Sequence, residues 1–340
     1  MNFPALKNKI YFDSARSGLM YNELLNWRKK HENDFLNNGS QFRLNHEELL
    51  NETRLEINKF FDSPKSKTFL IQNFSIGLSK LLNNLKSNKS VLIIKDDYSS
   101  IIDQVKCSGL PHFFVKNTID LESQILNEIK RNLPDVFIFS IVQHIDGTMI
   151  DLDFIKKIKN EFPNLLIVAD GTQFCGTKFF DFKSSNIDIL LSSGYKWLLG
   201  GYGNGFISIN SSYSFNHFKM KIKSNDLSKI FEPGHLDTLS FGSLLFSLKK
   251  ISSYGIKNIE RDIDRLSEHA KSSFKNKNLI NFKVLEREKH SNIYNIKGDE
   301  KFYNHLKQNK IICSKRGNGI RFSFNFYNTI NEIDTLISKL

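Results

Sequence analysis

Asp170 and Lys196 stand where two short apolar runs stop. Residues 165–169 lead into Asp170, and residues 187–191 lead into Ser192-Ser193-Gly194-Tyr195-Lys196. In an α/β sheet the ligands sit beyond the carboxyl ends of buried strands, so this pattern delivers an acid and a lysine to one rim. A lone lysine is ordinarily a solvated surface group. Lys196 instead precedes Trp197-Leu198-Leu199, an apolar setting that disfavours the ammonium and leaves a nucleophilic amine.

A lysine that condenses with an aldehyde, and a carboxylate that keeps a pyridine nitrogen protonated, are what pyridoxal phosphate requires. The protonated ring then serves as an electron sink for the α-carbon of an amino acid. The elements needed to place such a group follow from the chain in order. Residues 10–12 form a short extended run that meets the polar turn Asp13-Ser14-Ala15-Arg16-Ser17-Gly18. Residues 22–30 and 44–61 have helical spacing, with a break at Asn37-Asn38-Gly39-Ser40. Residues 68–71 read as a strand, and the turn Gln72-Asn73-Phe74-Ser75 opens a helix, whose free N–H groups suit an anion. Taken alone, Ser75 is equally an N-cap. Residues 91–94 and 136–140 are further apolar strands, leading to Tyr98 and to Gln143-His144. A helix over residues 152–162 precedes the central stretch, which closes in the turn Gly200-Gly201-Tyr202-Gly203-Asn204-Gly205. A helix over residues 239–254 follows, and helices over residues 258–274 and 302–308 with strands over 282–285 and 291–296 complete a second, smaller α/β unit.

The series Asp170-Gly171-x-Gln173, Ser193-Gly194-Tyr195-Lys196-Trp197 and the glycine turn, with Ile320-Arg321-Phe322-Ser323 and Tyr327-Asn328-Thr329 near the end, resembles the class V aminotransferases. That family of fold-type I pyridoxal-phosphate enzymes includes cysteine desulfurases, kynureninases, epimerase-like enzymes and transaminases. The resemblance implies an α/β fold with a large domain, residues 18–255, built on a mostly parallel seven-stranded sheet. A small α/β domain then comprises residues 1–17 and 256–340. It further implies that Lys196 carries the cofactor and moves the α-proton, with Asp170 on the ring nitrogen. Phe74, Ser75, Ser193 and Tyr195 would serve the phosphate turn, Gln173 the phenolic oxygen, and Tyr98 would stack on the ring. His144 is a second catalytic candidate. Arg321 would clamp the α-carboxylate of a small amino-acid substrate, Gln143 and Arg16 would lie beside it, and Arg316 would assist. Arg16 stands where a small residue is usual, and its guanidinium suits a second acid. The family also implies a homodimer with shared active sites.

Two departures bear on the reaction. Cysteine desulfurases carry a histidine where this chain has Tyr98, and their sulfur-bearing cysteine lies on a loop farther upstream than Cys313. Both argue against a desulfurase and leave an aminotransferase-like reaction as the leading expectation. A C–S or β-eliminating lyase and an epimerase remain open, as does a binding protein on a degenerate scaffold, although retention of Asp170 and Lys196 counts against the last. His235 also replaces a family threonine, leaving any partner contact there undefined.

At 340 residues with 40% hydrophobic composition, the chain can bury a sizeable core. Its formal net charge of +12 raises the question of nucleic acid, yet the lysines are scattered and form no compact stripe. Positive potential would still favour an anionic cofactor or substrate. Three unclustered cysteines, Cys107, Cys175 and Cys313, suggest neither a disulfide framework nor a metal site and fit a reducing, cytoplasmic setting. No stretch reads as a membrane span.

Overall fold

Alternation of apolar side chains decides the architecture. Within the strands Val91–Ile94 and Val136–Ser140, Val91, Ile93, Val136 and Ile138 join one buried cluster, while Leu92, Ile94, Phe137 and Phe139 join another. A strand buried on both faces needs cover on both, which is the condition for a sheet wrapped by helices. The structure is a computed structural model and describes residues 1–219 and 224–340.

A two-residue strand, β1 (Ile10–Tyr11), opens the chain. The main sheet is built from β2 (Lys67–Ile71), β3 (Val91–Ile94), β4 (His112–Val115), β5 (Val136–Ser140), β6 (Leu166–Asp170), β7 (Ile189–Ser193) and β8 (Gly205–Ile209). Their order is β2-β8-β7-β6-β5-β3-β4. Strand β8 runs antiparallel to both neighbours, and the other pairings are parallel. The mostly parallel seven-stranded sheet expected from the resemblance is therefore present. Helices α1 (Asn22–Asn38), α2 (His46–Phe60), α3 (Phe74–Asn83) and α4 (Ser99–Cys107) precede the middle of the sheet. Leu50 and Ile57 of α2, with Phe241, Leu244 and Leu248 of the helix Thr238–Tyr254, cover one face. Leu78 and Leu82 of α3, with Ile101 and Val105 of α4, cover the other.

The C-terminal region forms a separate three-stranded sheet from β9 (Ile293–Lys297), β11 (Ser314–Arg316) and β12 (Gly319–Ser323), while β10 (Ile311–Ile312) pairs with β1. Its own buried cluster joins Phe12 to Phe274, Tyr294, Ile320 and Phe322. Residues 282–285, expected as a strand, instead lie in the short helix Phe282–Glu286. The Asn281 side chain accepts the Lys283 N–H and starts the helix, and only Val284 is buried. Among the described residues no helix is long and apolar enough to cross a membrane.

Candidate active site

Register brings the strand ends together. Ser140 pairs with Asp170, Asp170 with Leu191, Ser193 with Gly205, and Gly205 with Ile71. Because β2 and β7 flank the reversed β8, the end of β2, the start of β8 and the ends of β5, β6 and β7 all lie on one rim. A cavity of about 480 Å³ opens there, lined among others by Ser75, Tyr98, His144, Asp170, Ser193 and Lys196.

Lys196 is 8% exposed and Asp170 is 5% exposed. Burial, opposed by Asp170 and reinforced by the Arg321 and Arg316 charges, holds the Lys196 amine below the ordinary lysine range. Burial pushes the Asp170 carboxyl up, although the Thr172 N–H donates to Oδ1 at 2.8 Å and Lys196 lies nearby. The Lys196 Nζ lies 5.9 Å from the Tyr98 ring centre and 5.6 Å from the Tyr195 ring centre. Tyr202 stacks on Tyr195 at 4.9 Å.

At the start of α3, Asn73 caps the helix by accepting the Ile76 N–H, and the Phe74 N–H donates to Ser193 Oγ at 2.9 Å. The Ser193 hydroxyl proton is left for another acceptor. Ser100 donates to Ser75 Oγ at 2.6 Å, and Ser75 in turn hydrogen-bonds the Tyr98 hydroxyl. Gln173 is gripped at both ends: Trp197 Nε1 donates to its Oε1 at 2.8 Å, and its Nε2 donates to the Ala15 carbonyl at 2.8 Å. One amide proton remains. His144 faces Tyr98 edge-on at 5.5 Å, and its Nδ1 is buried without a partner. Burial, then Arg321 and Lys196, push its pKa down to about 4, so the ring is neutral at physiological pH.

Arg321, Arg16 and Gln143 do not line this cavity. Arg321 is buried behind it; its Nη1 donates to the His144 carbonyl at 2.7 Å, its Nη2 approaches Asp13 at 3.4 Å, and its Nε has no partner. Asp13 is held mainly by Ser314, whose hydroxyl lies 2.7 Å from both carboxylate oxygens. Gln143 is buried beside Asp97. Arg16 and Arg316 are exposed. Sequence reasoning passed over Tyr202, Thr172, Ser140 and Asp13. The glycine turn around Tyr202 was a signal in hand; the others become visible only when strand order is known.

The residues present fit pyridoxal phosphate. A buried amine, a buried carboxylate without a full set of partners, and the Ser75 and Ser193 hydroxyls beside a helix start share one cavity. An aldehyde, a ring cation and a phosphate are the complements of those three features. Among the described residues no group of three or more His, Cys, Asp or Glu could hold a metal.

The class-V aminotransferase family model matches residues 10–336. A probable cysteine desulfurase from Ureaplasma parvum serovar 3 is 24% identical over 99% of this chain and 95% of its own length. Another from Borreliella burgdorferi is 22% identical over 100% and 94%. Among solved structures, the apo cysteine desulfurase of Thermococcus onnurineus NA1 matches with TM-score 0.85 at 16% identity, covering 99% of this chain and 95% of its own. The cystine C–S lyase C-DES, in complex with its product cysteine persulfide, matches with TM-score 0.87 at 17% identity, covering 99% and 98%. The match across nearly the whole chain, over a cavity fitted for the cofactor, makes this protein a member of the class V aminotransferase family, an enzyme whose cofactor is pyridoxal phosphate.

Proposed function

We propose that the enzyme is a C–S lyase, which eliminates the β-sulfur of a cysteine-derived amino acid and releases it to solution. The observation that carries this reading is the placement of the three thiols. No cysteine lines the cavity. Cys175 and Cys313 are buried, and burial pushes both thiols up, Cys313 to about 12, so neither is a ready nucleophile. Cys107 is exposed at the last turn of α4. The connection between β11 and β12 is Gly317-Asn318, with no room for a cysteine-bearing loop. A desulfurase that moves sulfur onto its own thiol lacks the acceptor here, whereas elimination needs none. The names of the curated relatives, and the lyase among the structural neighbours, agree with sulfur chemistry rather than transamination.

When bound, the cofactor supplies an electron sink at the α-carbon. Lys196 would hold it, and its amine, biased toward the neutral form by burial, would then take the α-proton. Asp170 supplies the charge that balances a ring cation. Phe74, Ser75, Ser193 and Tyr195 would hold its phosphate, with the Phe74 N–H fixing the Ser193 hydroxyl that would donate to it. Tyr98 presents its ring, Gln173 its remaining amide proton, and neutral His144 a hydrogen bond rather than a charge. Arg321 receives the substrate carboxylate in place of its long contact to Asp13, with Gln143 steadying the loop behind. The Cα–H bond breaks to Lys196, the Cβ–S bond breaks with its electron pair on sulfur, and sulfur takes a proton. The released 2-aminoacrylate adds one water to give pyruvate and ammonia.

Cysteine and cystine, given to holoenzyme, are expected to yield pyruvate and ammonia in equal amounts, with sulfide or a persulfide. Intact-mass spectrometry during turnover should find no sulfur added to the protein, and Cys107→Ala should keep the parent rate. Accumulation of pyridoxamine phosphate, or a protein-bound persulfide, would sink the proposal.

A further inference from the structure

The turn that carries His144 is held from outside by a histidine that the chemistry above does not use. Residues 143–147 close on themselves through the Gly147 N–H, which donates to the Gln143 carbonyl at 3.0 Å. Two features of the site ride on this turn. The His144 carbonyl accepts Arg321 Nη1 at 2.7 Å, and the His144 ring lies edge-on to Tyr98 in the cavity wall. The outer side of the turn packs on the C-terminal part. Thr148 and His290 form a short antiparallel bridge, the Ser291 N–H donates to the Gly147 carbonyl at 3.0 Å, and Lys283 pairs with the Asp146 carboxylate at 3.3 Å.

His290 Nε2 lies 2.8 Å from the Asp146 carbonyl oxygen, and Nδ1 lies 2.7 Å from the Ser291 carbonyl oxygen. The ring rests against Tyr294, with centres 4.8 Å apart. Burial, reinforced by Lys271 and opposed by Asp146 and the two carbonyls, pushes its pKa down to about 4. At physiological pH one ring N–H therefore faces two acceptors. The Ser291 carbonyl also accepts the Ser267 hydroxyl at 3.3 Å, whereas no other donor reaches the Asp146 carbonyl among the described residues. Leaving a carbonyl with no donor costs more than sharing one, so the proton belongs on Nε2.

The Asp146 C=O and the Gly147 N–H belong to one peptide group. His290 holds its oxygen and the Gln143 carbonyl holds its N–H, so the two contacts together fix the peptide plane. A peptide that precedes glycine turns over cheaply, because glycine accepts either sign of φ; Gly147 sits at +77°. Turning it over would break the bond that closes the turn, and with it the support of the His144 carbonyl opposite Arg321.

We propose that His290, through its Nε2–H, is a positioning residue for Arg321: it locks the Asp146–Gly147 peptide, keeps the turn 143–147 closed, and so sets how tightly the substrate carboxylate is bound. This rests on Arg321 receiving that carboxylate and is indifferent to which bond breaks afterwards. His290 does not line the cavity, so cofactor affinity should not depend on it.

The test uses the two amide isosteres of histidine. A glutamine amide reaches the place of Nε2, and an asparagine amide that of Nδ1. Parent, His290→Gln and His290→Asn holoenzymes are titrated with propionate and butyrate, and binding is read from the visible absorbance of the cofactor. His290→Asn should bind both acids about five- to tenfold more weakly, while His290→Gln stays near the parent. Hydrogen exchange of the peptide that contains Gly147, followed by mass spectrometry, should be faster in His290→Asn than in His290→Gln. Equal acid binding by the two variants, whether both weak or both parent-like, overturns the proposal, because a loss of packing alone does not tell one amide from the other. Arg321→Gln separates the premise from the inference. If that variant binds the acids as well as the parent, Arg321 does not receive the carboxylate and the proposal falls with it. If it loses them while both His290 variants keep them, the role of His290 falls and that of Arg321 stands.

Discussion

Lys196 shows how a single side chain is prepared by its surroundings. A free lysine titrates near ~10.4 and is almost wholly ammonium at neutral pH. Here burial, with Arg321 and then Arg316, works against the attraction of Asp170 and lowers that value. Capture of pyridoxal phosphate needs the neutral amine. The rate at which apoenzyme takes up the cofactor should therefore rise and level off at lower pH than for an ordinary lysine. Arg316→Gln removes one of the lowering charges and should move the midpoint up. Stopped-flow absorbance across pH checks both statements, and an unshifted midpoint in the variant would show that Arg316 does not reach the amine. Linkage has a definite sign as well. With the native value below the unfolded one, the unfolded chain holds more protons in the window between them, so Lys196 adds to apoprotein stability as pH rises through that window. Lys196→Ala should bind cofactor weakly, lack the covalent absorbance band and lose turnover.

At the scale of elements, the segment 13–18 and the loop after β7 fit together because Gly18 has no side chain. A Cβ there would stand 2.0 Å from the Lys196 carbonyl, against backbone that cannot move aside. Gly18→Ala should cost about 1–3 kcal/mol in urea unfolding and weaken cofactor binding as well. Gly109 is a suitable control: its φ is +70° but nothing lies near its Cβ direction, so Gly109→Ala should cost only about 1 kcal/mol and leave cofactor affinity alone. Equal effects of the two changes on cofactor affinity would disprove the close-fit argument. The same scale explains what could be read from the sequence. Residues 91–94 and 136–140 were legible because unbroken apolar runs between polar turns have few other uses. Strand β4 (His112–Val115) was not read, since it is an edge strand with only Val115 fully buried. Residues 282–285 were misread because four residues cannot separate a half-buried helical turn from a strand. Asp170, Ser193 and Lys196 could be named from their positions at run ends. Asp13 beside Arg321 could not, because that pairing joins residues 308 apart and depends on how the C-terminal sheet docks.

At the scale of the whole molecule, the C-terminal sheet must be held at a fixed distance from the main sheet, since Arg321 comes from one and Lys196 from the other. We propose the division into residues 18–255 and residues 1–17 with 256–340, which follows the separate buried cluster around Phe12 and Phe322. Arg287 ties the two parts together. Its guanidinium, 7% exposed with its residue, donates to the Ile119 carbonyl at 3.0 Å, to the Met149 carbonyl at 2.8 Å and to both oxygens of Glu122. Burial would raise the Glu122 pKa, but Arg287 outweighs it and the carboxyl titrates below its usual range. That contribution is present above the unfolded value and is lost as pH falls through the native one. Removing the arginine strands a half-buried carboxylate and two carbonyls, at a cost of about 3–5 kcal/mol. Arg287→Ala should therefore loosen the docking of the C-terminal part before the main sheet unfolds. Urea melts followed by far-ultraviolet circular dichroism should broaden or separate into two transitions, and the affinity for monocarboxylates, which report on Arg321, should fall while cofactor affinity holds. A single transition at the parent midpoint would mean that the two parts are held by the apolar contacts alone. Arg287→Lys distinguishes charge from geometry: it keeps the charge opposite Glu122 but cannot form the same fork, so it should recover only part of the loss.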